Sequence, residues 1–267
     1  MATVKRPAEL LRAHGLRPKK DWGQNFLGDP RILDSLAALA SVQAGDTVVE
    51  LGAGLGHLTR ALLATGARVV AVERDRELAP ILRAELPAAE VVEADAKSFD
   101  LSSVAAGSKV VVCGNLPYHL SSQILFHLLD QRRFVRRAVL LLQREVAERI
   151  AAEPGGRDYG VLSVLVQLVA DAHVGLAVDR HAFTPPPRVD SSALVIDFLA
   201  EPRAKVQDER RFRALVKAAF AQRRKTLWNS VASVEGAREA LLRAGIDPQR
   251  RAETLSVAEF AAIERAV

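Results

Sequence analysis

From Thr47 onward, short runs rich in Val and Leu alternate with stretches whose apolar residues recur every three or four positions, and few architectures accept such a chain. Thr47–Leu51, Arg68–Glu73, Glu90–Glu93, Lys109–Cys113 and Ala138–Gln143 show no period-two alternation, the pattern of strands covered on both faces. Leu55–Ala64, Glu77–Leu86 and Ser121–Leu129 between them read as helices. The resulting βαβαβ order predicts a parallel sheet with right-handed crossovers and a ligand cleft at the C-terminal ends of its strands. Ahead of it, Asp29–Ala40 reads as a helix capped by Asp29, with Pro30 at the first helical position.

After Glu145 the pattern changes. Gly155, Gly156 and Gly160 interrupt the chain, a helix is expected from about Gly160 to Ala170, and Val174–Val178 and Ala193–Phe198 read as two further strands. Pro185–Pro187 between them holds a loop extended. Beyond Pro202 only helical periods remain: Glu209–Ala221, Arg224–Ser233, Ala237–Ala244 and Val257–Arg265. The expected organisation is an α/β domain over residues 1–200 followed by a small all-helical domain over 201–267.

Composition narrows the function classes. The longest apolar stretch, around Val161–Ala170, is broken by Ser163 and Gln167 and is far shorter than the roughly 18 to 20 residues that span a bilayer. The first 20 residues carry no continuous apolar segment of the kind that marks secretion, so a cytoplasmic location and no membrane partner are expected. The single cysteine, Cys113, supports neither an internal disulfide nor a cysteine-type zinc site, and no structural metal is expected. The net charge of +5 is terminal in origin: residues 1–20 and 201–267 each carry +5, and residues 21–200 carry −5. An acidic centre with basic ends suits a cationic ligand in the middle and a polyanion at the flanks, although clustered surface charge alone is often only a solvated face.

Val48 to Leu58 closes a strand and opens a helix through Gly52-Ala53-Gly54-Leu55-Gly56. The third glycine of a dinucleotide fingerprint would fall at His57, which disfavours NAD. Glu50, two residues before the first glycine, would repel phosphates but can accept a hydrogen bond from an ammonium group. Glu73 ends the second strand 21 residues after Gly52, the separation at which an acid reaches a ribose, and Asp95 follows the third strand, where it can receive the exocyclic amine of an adenine. Each acid alone is ordinary at a strand end; one per successive strand end is a stronger signal. A cationic ligand with an adenosine and no phosphate fits, and S-adenosylmethionine has those properties.

The fourth strand leads into Asn115-Leu116-Pro117-Tyr118. The exocyclic amine of adenine or cytosine is a poor nucleophile because its lone pair is delocalised into the ring. The Asn115 amide oxygen and the Leu116 carbonyl can each accept one amine hydrogen and leave the lone pair facing a sulfonium methyl group. Pro117 stiffens the turn, and Tyr118 offers a stacking face worth roughly 1–3 kcal/mol. Proton loss can follow attack, so orientation rather than a strong base carries the chemistry.

Lys19–Leu27, Glu50–Thr59, Val72–Asp75, Ala94–Ala96, Gly114–Tyr118, Phe183–Ser192 and Phe220–Leu227 resemble, in order, the motifs of the ribosomal RNA adenine dimethyltransferase family, most closely its bacterial small-subunit branch. The resemblance implies a Rossmann-like S-adenosylmethionine-dependent methyltransferase domain. It also implies transfer of four methyl groups to the N6 atoms of two adjacent adenosines in the 3′-terminal hairpin of 16S rRNA, within the immature 30S subunit; a monomer is expected. By the same resemblance Asn25, Leu27, Gly52, Glu73, Asp95 and Asn115 contact the donor. Asn115, Leu116, Pro117 and Tyr118 form the catalytic corner, with Phe183 against the target base opposite Tyr118. Arg223, Arg224 and Lys225, three consecutive cations at the opening of a helix, would bind RNA; such a run is also what a solvated helix face looks like. The chain departs from the family pattern at Ala53, where proline is frequent, and at His119, where asparagine is common. A histidine at that position is most simply a helix-start residue without a chemical role. The alternatives are a 23S rRNA dimethylase of the macrolide-resistance type, against which the Thr184–Ser192 loop and Arg223–Leu227 argue, and a non-catalytic ribosome-assembly factor.

Overall fold

The computed structural model describes residues 5–222 and 224–267. In chain order the elements are α1 (Pro7–Ala13), β1 (Phe26–Leu27), α2 (Pro30–Ala40), β2 (Thr47–Leu51), α3 (His57–Leu63), β3 (Arg68–Glu73), α4 (Leu78–Glu85), β4 (Glu90–Glu93), β5 (Val110–Asn115), α5 (Ser121–Asp130), β6 (Val135–Gln143), α6 (Arg144–Ala151), α7 (Val161–Gln167), β7 (Ala170–Val178), β8 (Phe183–Thr184), β9 (Ser191–Phe198), α8 (Glu209–Phe220), α9 (Leu227–Ser230), α10 (Ala237–Arg243) and α11 (Val257–Ala266). No helix among the described residues is long and apolar enough to cross a membrane.

The main sheet runs β4-β3-β2-β5-β6-β9-β7. The first five strands are parallel, and β9 joins β6 antiparallel. Val48, Val49, Val69–Val72 and Val110–Val112 are all but inaccessible, which is why these strands read as unbroken apolar runs. Because β3 lies on one side of β2 and β5 on the other, the strand order reverses between β2 and β5. That reversal opens a crevice at their C-terminal ends, where the loops diverge to opposite faces of the sheet. Asp29 caps α2 as expected, its Oδ1 accepting from the Arg31 amide at 2.9 Å.

Two compact units divide the chain: one comprises the residues up to Ala147 with Val174–Asp197, the other Glu148–His173 with Phe198–Val267. The expected division at 200/201 therefore needs correction for residues 148–173, which fold with the C-terminal helices. The Tyr159 ring meets that of Phe220 edge-on at 6.1 Å, and Phe220 lies 5.9 Å from Phe260. Backbone bonds tie the same segment in, from Arg203 N to Leu168 O at 2.7 Å and from Gly155 N to Glu253 O at 2.6 Å. The helix expected from Arg224 begins at Leu227 instead. Its first amides are taken by the chain at 248–250, Leu227 N by Arg250 O and Trp228 N by Pro248 O, so residues 224–225 stay in the preceding turn.

Candidate active site

Four strand ends converge on one open cleft. Its walls include Glu50, Gly52 and Gly54 at and beyond the end of β2, Glu73 and Arg74 at that of β3, Asp95 beyond β4, and Asn115 to Tyr118 at and beyond the end of β5. Residues 22–27, ahead of α2, supply a further wall.

The glycine turn is pinned by Gly52 N and Ala53 N, which both donate to Val72 O, at 2.9 and 3.1 Å. Gly52, Gly54 and Gly56 have φ of +74°, +58° and +80°, a left-handed backbone that side chains disfavour; Gly52 and Gly54 leave bare main chain along the cleft, while a Cβ on Gly56 would lie 2.5 Å from Leu82 of α4 and 2.6 Å from Leu86 just after it. Glu73 is buried, its Oε2 accepting from Gly54 N and its Oε1 from Asp75 N, each at 2.7 Å. Burial pushes its pKa up against those two amide bonds. Each oxygen keeps a lone pair for a ligand hydroxyl. Asp95 is partly exposed; its Oδ1 accepts from Lys97 N at 3.0 Å and its Oδ2 lies 3.4 Å from Arg74 Nη1. Burial raises its pKa, but Lys97 and Arg74 outweigh that and hold it below the usual range.

Glu50 is 1% exposed and accepts a short bond from Thr59 Oγ1. Burial pushes its pKa up to about 8, against the Thr59 bond and assisted by nearby Glu73. At neutral pH it is largely protonated, and a cation placed beside it favours the ionised form. Since this acid is protonated in the folded chain and ionised in the unfolded one between about pH 4.5 and 8, folding takes up a proton there. Stability is therefore expected to fall across that window. Glu50→Gln should remove this slope, leaving the variant more stable than wild type above pH 8 by several kcal/mol, on the order of 1.4 per pKa unit. Urea denaturation at pH 5, 7 and 9 measures this, and a wild-type-to-variant difference that is the same at all three values would show that Glu50 does not titrate there.

At the end of β5, Asn115 Nδ2 donates to Asn25 O at 2.8 Å, which turns Oδ1 away from that contact as an acceptor. Leu116 N donates to Leu141 O at 3.3 Å, and Pro117 holds φ −57° and ψ 127°. The Tyr118 hydroxyl meets Ser191 Oγ at 2.7 Å, which fixes the phenol from the far end of its ring. Partial burial raises its pKa, so it stays neutral. The His119 ring lies against Gly23, whose Cβ would sit 3.2 Å from its Nδ1, and it is not among the cleft walls.

Asn25, Leu27, Gly52, Glu73, Asp95, Asn115, Leu116, Pro117 and Tyr118 thus all border the one cleft. Phe183 does not. The ladder of β1 with β8 places it opposite Leu27, and at 3% exposure it belongs to the buried core cluster that also holds Leu27 and Leu33. Arg224 and Lys225 are exposed, in the C-terminal unit, and Arg223 lies outside the described residues. Reading along the chain did not single out Trp22, which walls the cleft with Arg74 4.1 Å from its ring centroid, nor Ser191 behind Tyr118. Their partners stand 52 and 73 positions away, so no local pattern marks them.

The family model of ribosomal RNA adenine dimethylases matches residues 15–267. The chain belongs to that family. A protein of Myxococcus xanthus (strain DK1622) named ribosomal RNA small subunit methyltransferase A is 53% identical over 98% of this chain and 95% of its own length. One of the same name from Anaeromyxobacter sp. (strain K) is 54% identical over 97% of this chain and 96% of its own. Among solved structures, a dimethyladenosine transferase from Plasmodium falciparum has a TM-score of 0.75 at 25% identity, covering 89% of this chain and 95% of that one. The 23S rRNA methyltransferase ErmE has a TM-score of 0.70 at 25% identity, covering 91% and 99%. The α/β methyltransferase fold, the enzyme class and S-adenosylmethionine as methyl donor follow from that membership, as the motifs implied.

Proposed function

We propose that this chain dimethylates two adjacent adenosines at N6 in the 3′-terminal hairpin of 16S rRNA, four methyl groups in all, on the immature 30S subunit, acting as a cytoplasmic monomer. The observation that carries the chemistry is the Asn115 amide, held by Asn25 O with its oxygen left as an acceptor next to the cleft. The more than 50% identity to small-subunit enzymes, against 25% for ErmE, favours 16S over 23S rRNA.

The cleft fits the donor. Its glycine turn offers bare main chain, Glu50 suits an ammonium group, Glu73 a ribose and Asp95 an adenine amine, with Asn25, Leu27 and Gly52 completing the contacts. When bound, S-adenosylmethionine supplies an electrophilic methyl carbon. Asn115 Oδ1 and the Leu116 carbonyl each take one hydrogen of the target amine, which localises the nitrogen lone pair and directs it into the cleft. Tyr118, fixed by Ser191, stacks on the target base after it has left its helix. The attacking amine becomes acidic as the new bond forms and can lose its proton to water, so positioning supplies most of the acceleration.

Incubating the protein and labelled donor with immature 30S particles and with protein-free 23S rRNA tests the substrate. Label in two adjacent dimethyladenosines of 16S rRNA is expected; label only in 23S rRNA would overturn the assignment. Absence of donor binding by calorimetry would instead support a non-catalytic assembly factor.

RNA hairpins are held largely through phosphates and shape. Replacing Arg223, Arg224 and Lys225 with alanine is therefore expected to weaken binding and to reduce the slope of log affinity against log salt by about 0.7 to 0.9 for each phosphate that is no longer neutralised. A slope equal to wild type would remove these residues from the interface.

A further inference from the structure

Residues 22–25 belong to one wall of the cleft, and the stretch 19–25 that carries them has little structure of its own: a single turn of 3-10 helix at Lys20–Trp22 and a few short-range bonds. What fixes them is side-chain contact with the chain beyond β3. Asp75, only 2% exposed, is the hub of that contact. Its Oδ1 accepts from Lys19 Nζ at 2.7 Å and from Glu77 N at 3.1 Å, and its Oδ2 accepts from Gln24 Nε2 at 2.8 Å. Gln24 is engaged at both ends, since its Oε1 accepts from Lys19 N at 2.8 Å and so closes the 19–24 loop on itself. From the same residue, the Asp75 amide donates to Glu73 Oε1. Asp75 is not itself among the residues that wall the cleft.

We propose that Asp75 is a positioning residue for the methyl donor, one that holds residues 19–25, and with them the cleft wall from Trp22 on, in place while orienting the Glu73 carboxylate from behind. Lys19 also pairs with Glu77, but Glu77 is more than half exposed and such a pair contributes little. The buried Asp75 carboxylate is the partner whose loss leaves groups unsatisfied. Trp22 and Asn25 lie within the stretch that Asp75 fastens, between or just beyond its two anchor points, and Asn25 O in turn orients the Asn115 amide. Donor affinity should therefore depend on a carboxylate that never touches the donor. Leu116 and Tyr118 keep their own anchors, Leu141 O and Ser191, whereas the Asn115 amide leans on Asn25 O, so turnover of the filled site should fall as well, by less than the affinity.

This rests on the reading of the cleft as the donor site, and one set of variants separates the two. Asp75→Asn and Lys19→Met are each expected to raise the calorimetric Kd for S-adenosylmethionine about tenfold, with a smaller fall, about three- to fivefold, in kcat at saturating donor. The double variant should be no weaker than Asp75→Asn alone, because both substitutions break the same ion pair. Hydrogen exchange of amides 19–25 in the presence of donor should rise in both single variants, with the thermal midpoint little changed. Wild-type donor affinity in both variants, or fully additive effects in the double one, would overturn the proposal. Should Asp75→Asn fail to fold, Lys19→Met decides by itself, since its side chain is one-third exposed. Glu73→Ala is the control: if that variant binds donor normally, the cleft assignment itself is wrong, whereas its loss of binding beside a normal Asp75→Asn would refute only the role of Asp75.

Discussion

Replacing Asn115 by alanine is expected to abolish methyl transfer, with a loss of at least about 10²–10³ in the single-turnover rate and RNA affinity within a few-fold of wild type. The amide does two things in the structure. Its nitrogen donates to Asn25 O at 2.8 Å, and this bond decides which way the oxygen faces. The oxygen is then one of the two acceptors that draw density toward the target nitrogen, an interaction that strengthens as the amine attacks and therefore acts on the rate rather than on binding. Alanine removes the acceptor and also unpairs the Asn25 carbonyl. Asn115→Asp keeps the acceptor but presents a second oxygen to Asn25 O in place of the donor, and should be nearly as impaired. Quenched-flow methylation at saturating donor, beside filter binding of the RNA, checks both halves. A variant that loses RNA binding along with activity would make the turn a structural element instead.

Gly114→Ala should be the most damaging small substitution in the sheet. A Cβ there would lie 2.7 Å from Leu51 O and 2.9 Å from Leu116 Cδ2, both closer than real contacts allow. Leu116 can turn aside, but the Leu51 carbonyl belongs to the main chain that leads into the glycine turn. β5 is bonded to β2 on one side and to β6 on the other, so it cannot slide away without breaking a ladder. The expected cost is about 3 kcal/mol, the upper range for overpacking, and the displaced strand end carries Asn115 with it. A urea midpoint lowered accordingly, together with weakened donor binding in the fraction that remains folded, is the predicted outcome; a stability within about 0.5 kcal/mol of wild type would mean that the strand end yields more easily than its ladders suggest.

Much of this arrangement is written in local pattern. β2 and β3 begin and end where the valine runs do, because a strand buried on both faces has little choice of residue type; β4, at the sheet edge with both ends exposed, has the expected bounds without that double burial. The cap at Asp29 is equally local, an Asp-Pro pair whose geometry needs nothing beyond its neighbours. Glu73, Asp95 and Asn115 were legible for a related reason: a parallel sheet brings its strand ends together, so acids and amides at those ends share a cleft. What escaped depends on contacts across the chain. The two-residue strands β1 and β8 have no period to read, yet their pairing of Leu27 with Phe183 buries the ring that the motif would place against the target base. The allegiance of residues 148–173 is decided by Tyr159 meeting Phe220, far downstream. Asp75 and Lys19 both fall inside the family motifs, but their bond spans 56 positions and neither residue type announces it.

A crystal structure of the protein with a non-reactive donor analogue and the 3′-terminal hairpin of 16S rRNA would show how the target amine is held. The target adenine is expected turned out of its helix and stacked on Tyr118. Its N6 should lie within about 3 Å of both Asn115 Oδ1 and the Leu116 carbonyl oxygen, and about 3–3.5 Å from the position of the transferable group. An adenine amine bound by other groups, with Asn115 Oδ1 bonded only to protein or solvent, would contradict that arrangement.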